Sequence, residues 1–147
     1  MTSEEFIARL EQTRQNLINQ RPQEVLIMSF DLLALIKSRI QARGEDYKGG
    51  QFAPYTLGYK KTRDKGGYQT GYVDLTVSGR MWANTRPEIT DNSDDSTSVE
   101  IKGGNNLTQA KLSGQFSKRG NVLTPSKGEL ILVQQVNYER LRKALAI

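Results

Sequence analysis

The chain has 147 residues, 36% of them hydrophobic, with a net charge of +5 and no cysteine or histidine. That length suits one domain with a real core. The missing side chains exclude a disulfide framework, a thiolate metal site and a thiol nucleophile, and remove the commonest general base and metal ligand. Ser29, Ser78 and Ser126 have no histidine to activate them. No apolar run is long enough to span a membrane, and Met1-Thr2-Ser3-Glu4-Glu5 lacks the basic and apolar regions of a signal peptide. The expected place of synthesis and assembly is the cytoplasm.

Thr2 and Glu5 have capping-box spacing, and Phe6, Ile7, Leu10, Leu17 and Ile18 follow at helical intervals. Arg21-Pro22 predicts the end of this helix, because proline disfavours helix at the residue before it. A second helix is predicted from Gln23 to Arg43. It is apolar over most of its circumference, from Val25 through Leu33 and Ile36 to Ile40, as in a buried helix. Lys37, Arg39 and Arg43 suit its negative end, and Gly44 suits a left-handed cap.

Residues 45–77 read as a long basic loop. From Lys37 to Lys65 there are eight basic residues against three acidic ones. Tyr47, Phe52, Tyr55, Tyr59, Tyr68 and Tyr72 are interleaved with them. A short helix between Thr56 and Arg63 is only weakly signalled. Loops this long in a small domain are functional or disordered. The mixture can stack on bases and neutralise phosphates, or supply the tyrosine and arginine anchors of a protein interface, or simply be solvated. The interface is the favoured reading of the three.

The segment Asp74 to Asn84 predicts a short helix capped by Ser78 and anchored by Met81 and Trp82. Thr85–Thr90 and Thr97–Lys102 predict two antiparallel strands joined by the polar turn Asp91-Asn92-Ser93-Asp94-Asp95. The carboxylates Glu88, Asp91, Asp94, Asp95 and Glu100 fit no calcium-loop spacing, so a solvated turn is preferred to a cation site. Leu107–Phe116 is a further short helix. From Ile101 to Lys127 five basic residues occur and no acidic one. Ser126 and Glu129 form a second capping-box pair, opening a last helix to Leu145 with Leu130, Val133, Val136, Leu141 and Leu145 on one face. The glycine pairs at 49–50, 66–67 and 103–104 match no phosphate-binding loop. The fold class expected is α+β: one domain over 1–147, with N-terminal helices (1–44), the long loop (45–77), then short helix, β-hairpin and C-terminal helix (78–147).

One order of motifs stands out. It comprises an apolar helix ending at Arg39-Ile40 and Gly44, then Gly49-Gly50-Gln51-Phe52-Ala53-Pro54-Tyr55-Thr56 and Tyr59-Lys60-Lys61-Thr62-Arg63. Val73-Asp74-Leu75-Thr76-Val77-Ser78-Gly79-Arg80-Met81, an acidic hairpin and Arg119-Gly120-Asn121-Val122-Leu123 follow. Over residues 36–130 this resembles the tail-completion, or virion morphogenesis, proteins of tailed bacteriophages. Two parts depart from that family's pattern. Its histidine-containing segment is matched only loosely by residues 106–112, and Asn121-Val122-Leu123 replaces Pro-Phe-Leu.

The resemblance implies a non-enzymatic virion subunit of the phage neck, without cofactor or metal, that caps the tail and joins it to the head connector. It implies a hexameric ring around passing DNA, in contact with neck, connector and tail-tube proteins. Phe52, Tyr55, Tyr59, Arg63, Arg80 and Trp82 are then the expected inter-subunit contacts. Lys48, Lys60, Lys61 and Lys65 are the expected lumen or DNA-facing residues, making sequence-independent contact. Deleting residues 48–68 is expected to spare the monomer and prevent assembly. The alternative is a small nucleic-acid-binding module that uses the basic aromatic loop.

Overall fold

In a computed structural model, which describes residues 1–145, the chain is α+β: helices flank a two-stranded antiparallel sheet. Helix α1 runs without a break from Ser3 to Arg43. At roughly 1.5 Å per residue that is about 60 Å. The Thr2 hydroxyl accepts the Glu5 N–H while the Glu5 carboxylate accepts the Thr2 N–H, so the first capping box forms. At the other end Gly44 adopts φ +65°, and its N–H donates to the Ile40 carbonyl at 2.8 Å. A Cβ at Gly44 would stand 2.9 Å from Tyr72 Cδ2 and 3.0 Å from the Val73 carbonyl oxygen, so both conformation and space call for glycine there.

The predicted break at Pro22 does not occur. Proline inside a helix forfeits one hydrogen bond and costs about 3 kcal/mol. Tertiary contacts beside it offset that cost. Arg21 donates to the Thr97 hydroxyl at 3.1 Å, to the Asp94 carbonyl at 2.9 Å, and to the Ser93 carbonyl. The two predicted helices are therefore one rod. Its C-terminal part lies in the body, and from Ser3 to Gln20 no side chain is buried.

The loop expected over 45–77 is also corrected. Residues 44–51 form a compact turn in which the Asp46 carboxylate accepts the N–H groups of Lys48 and Gly50 at 2.8 and 2.9 Å. Helix α2 then spans Leu57–Lys65, capped by Thr56. Phe52, Tyr55 and Val73 join Leu33, Ile36 and Ile40 of α1 in the core. A deletion of residues 48–68 would remove Phe52, Tyr55 and Arg63 from the interior, so it would unfold the chain rather than spare it.

Helix α3, Arg80–Ala83, starts behind Gly79 at φ +75° and has no side-chain cap. Ser78 lies one residue too early, and its Oγ is 3.5 Å from the Arg80 nitrogen. Strands β1 (Thr85–Asn92) and β2 (Thr97–Gly103) pair from Thr85–Gly103 to Asn92–Thr97, with a bulge between Ile89 and Asp91. Both strands contact α1. Helix α4 covers Asn106–Arg119 and places Leu112 fully in the core.

Helix α5, Lys127–Ala144, opens with the second capping box. It runs antiparallel to α1, held at one end by Arg39–Glu129 at 2.8 Å and at the other by Arg140–Asp31 at 3.4 Å. Of the five apolar residues predicted to share its inner face, Val133 is the buried one, while Leu130 and Val136 are exposed, as are their neighbours Ile131 and Leu132.

Candidate functional site: a basic cleft above an arginine knot

Arg63 leaves α2 pointing inward and is 2% exposed. Its Nε donates to the Gln69 carbonyl at 2.9 Å and Nη1 to the Thr76 carbonyl at 2.9 Å. Nη2 reaches both oxygens of Asp74, at 3.1 and 3.2 Å. The guanidinium lies 4.6 Å from the ring centre of Tyr55, 5.6 Å from Tyr68 and 5.9 Å from Tyr59. A buried cation is tolerated only when paired and fully hydrogen-bonded, and this one is both. The knot ties α2 to the strand-like segment that follows it.

Asp74 is the other half of the knot. Oδ1 accepts the Tyr55 hydroxyl at 2.9 Å and the Thr76 N–H at 3.0 Å, while the Asp74 N–H donates to the Tyr55 oxygen at 3.2 Å. Leu75, between those partners, sits at φ +53°, a conformation that costs a leucine about 1 kcal/mol and is imposed by the bonds on either side. Burial first, then the hydrogen bond to Asp74 and its charge, push the Tyr55 phenol from 10.0 up to about 12, with Arg63 opposing.

The neutral phenol is thus the folded form's preference. Its contribution is fully present below pH 10, where the unfolded chain keeps its proton too, and is lost as pH rises towards 12. Tyr55→Phe, which strands the Asp74 groups, is expected to cost about 1–3 kcal/mol at pH 7. That difference from the unaltered chain should shrink between pH 10 and 12 in urea titrations. A gap that stays constant across that range would refute this role.

Above the knot lies a cleft of about 640 Å³ between α2, residues 75–81 and α4. Leu75, Val77, Met81 and Pro54 supply apolar surface, and Arg80, Lys111, Lys118 and Arg119 surround it. No acidic residue lines it. Arg119 donates to Gln115 at 2.6 Å. Among the described residues, Arg80, Lys111 and Lys118 have no ion pair. The charge of this lining suits a negatively charged group, and no cluster of metal-binding side chains occurs among the described residues.

The sequence-predicted site residues are divided by this geometry. Phe52, Tyr55, Arg63 and Trp82, expected as inter-subunit contacts, are buried within the chain instead, because each completes the core or the knot. Tyr59 and Arg80 remain exposed and line the cleft. Lys48, Lys61 and Lys65 are exposed and Lys60 half-buried, but none of the four lines the cleft. Lys48 instead lies over the Tyr47 ring, 5.4 Å from its centre. Lys111, Lys118 and Arg119 are not among the site residues expected from the sequence. Their signal was the acid-free stretch from Ile101 to Lys127.

The carboxylates around the hairpin also separate. Glu88 accepts from Lys102 at 2.8 Å and from Arg86 at 3.0 Å, which hold its carboxyl below the usual range and, in return, raise the Lys102 amine. Asp91, Asp94 and Asp95, at the tip, are exposed and have no side-chain partner among the described residues. No family model, curated protein or solved structure matches this chain.

Proposed function

We propose that this chain is a structural subunit of the neck of a tailed bacteriophage. It is a tail-completion or head–tail joining protein that forms a hexameric ring, caps the tail and adapts it to the head connector. The observation that carries this reading is the free half of α1. Ser3 to Gln20 runs for about 27 Å and has no buried side chain. Phe6, Ile7 and Leu10 on it are about half exposed. Leu130, Ile131, Leu132 and Val136 of α5 are exposed as well. Exposed apolar stripes on both helices mark a chain that completes its burial in an assembly.

The motif order over residues 36–130 supports the same reading. In it the protein is not an enzyme, carries no cofactor, and resides in the virion after assembly in the host cytoplasm. Lys48, Lys60, Lys61 and Lys65 would meet DNA in the lumen without reading its sequence. No helix among the described residues is long and apolar enough to cross a membrane. Negative-stain imaging and mass measurement of the purified chain test the proposal: a closed ring is expected, and a monomer at high micromolar concentration overturns it.

A second reading has its own support. The acid-free cleft, with Tyr59 at its edge, has the cation and aromatic pairing of a single-strand-binding surface. A monomer whose affinity for single-stranded DNA falls steeply with salt would favour that reading.

A further inference from the structure

The cleft and the hairpin tip are complementary. Arg80, Lys111 and Lys118 line an opening without acidic residues and without ion pairs among the described residues. Asp91, near the end of β1, and Asp94 and Asp95, in the turn 93–96, crowd the tip and are likewise without side-chain partners among the described residues. The turn is held before any partner arrives. Arg21 takes up the Ser93 and Asp94 carbonyls, the Ser93 N–H donates to the Ser96 carbonyl at 2.9 Å, and the Thr97 hydroxyl donates to Asn92 at 2.7 Å. A preformed element loses little freedom on docking.

One chain cannot bring the two together. The strand pairing sets Thr85 and Gly103 at the end beside α3 and α4, next to the cleft, and Asn92 and Thr97 at the tip beside Arg21. The seven steps from Thr85 to Asn92 span about 23 Å at roughly 3.3 Å per residue. Donor and acceptor therefore occupy opposite ends of a stiff ribbon. A patch on one end that fits a different patch on the other end makes a head-to-tail contact, the kind that closes rings.

We propose that the acidic tip of the β1–β2 hairpin of one copy seats in the basic cleft of the next. This rests on the ring reading and adds the contact that propagates it. Asp94 and Asp95 meet Lys111, Lys118 and Arg80, while Leu75, Val77 and Met81 form the floor. The cleft volume is in the range of sites that enclose a small ligand, so the turn enters with its side chains and not with the whole hairpin.

Charge exchange tests it on the full-length chain. A tip variant carries Asp94→Lys and Asp95→Lys, and a cleft variant carries Lys111→Glu and Lys118→Glu. All four residues are exposed. Each variant alone should self-associate about 100-fold more weakly than the unaltered chain, since like charges placed face to face cost several kcal/mol. An equimolar mixture restores every contact, because each altered tip meets an altered cleft, and should recover a ring of alternating subunits. The quadruple variant should assemble alone. Because the chain has no cysteine, Asp95→Cys with Lys118→Cys should also give a clean disulfide between copies under oxidation. If the unaltered chain forms rings and both charge variants do so equally well, this contact is wrong and the ring stands. If the unaltered chain stays monomeric, both are wrong. If the cleft variant loses DNA binding with assembly unchanged, the cleft serves a nucleic acid and the proposal falls.

Discussion

Arg63→Ala is expected to destabilise the chain by about 3–5 kcal/mol, the usual consequence of leaving one member of a buried ion pair alone. The Asp74 carboxylate would be left beside the Tyr55 phenol without its ion-pair partner. The Gln69 and Thr76 carbonyls would lose their donors, and the faces of Tyr55, Tyr59 and Tyr68 would lose the cation they surround. A loss of that size is a large share of the stability of a domain of this kind. Arg63→Lys should recover little of it, because an ammonium on a flexible stem cannot reach two carbonyls and a carboxylate in one plane. Urea or guanidinium unfolding of both variants is the measurement. A loss below about 1 kcal/mol for Arg63→Ala would show that the knot is replaceable. Activity-like readouts are not informative here, since the residue serves the fold first and supports the cleft only through it.

The second large effect is expected where the fold is least involved. Phe6→Asp with Leu10→Asp, on the free half of α1, should leave unfolding of the monomer within about 0.5 kcal/mol, as surface substitutions do. Assembly should suffer instead. Burying the exposed halves of Phe6 and Leu10 contributes about 1 kcal/mol each, so losing both should weaken association by about 30-fold. Analytical sedimentation across a concentration series reads the shift. Unchanged assembly together with an unchanged monomer would mean that the arm faces solvent in the particle, and the proposal that it completes its burial there would fail. Opposite outcomes are thus expected at the two positions: Arg63 affects folding, and Phe6 and Leu10 affect association.

Nothing local in the sequence marks Arg63, Tyr55 and Phe52 as interior. Between Gly44 and Arg63 the chain has no apolar period, and glycine, lysine and tyrosine dominate it. Composition of that sort describes an exposed loop. The partner that draws Arg63 inward, Asp74, lies eleven residues on, beyond the Gly66-Gly67 turn. No local pattern reports such a pairing. Pro22 misled in the opposite way. It does weaken a helix, but Arg21 beside it is fixed to the hairpin, and a tertiary contact outweighed a local preference. The cleft was legible only as a charge bias. Lys111, Lys118 and Arg119 were visibly unaccompanied by acidic residues, and their meeting with Arg80 required α4 to pack beside residues 75–81.

What local chemistry governs was readable from the chain alone. Thr2 with Glu5 and Ser126 with Glu129 satisfy the free N–H groups of helix ends through side chains three residues apart. Gly44 takes the left-handed turn that ends α1, and the alternation in Thr97–Lys102 marks a strand. These features depend on neighbours in sequence. Continuity of α1 through Pro22, burial of Arg63 against Asp74, and separation of the acidic tip from the basic cleft depend on residues brought together from far apart. Tertiary structure decided them, because desolvation and ion pairing act on whatever lies nearby in space, whatever its place in the chain.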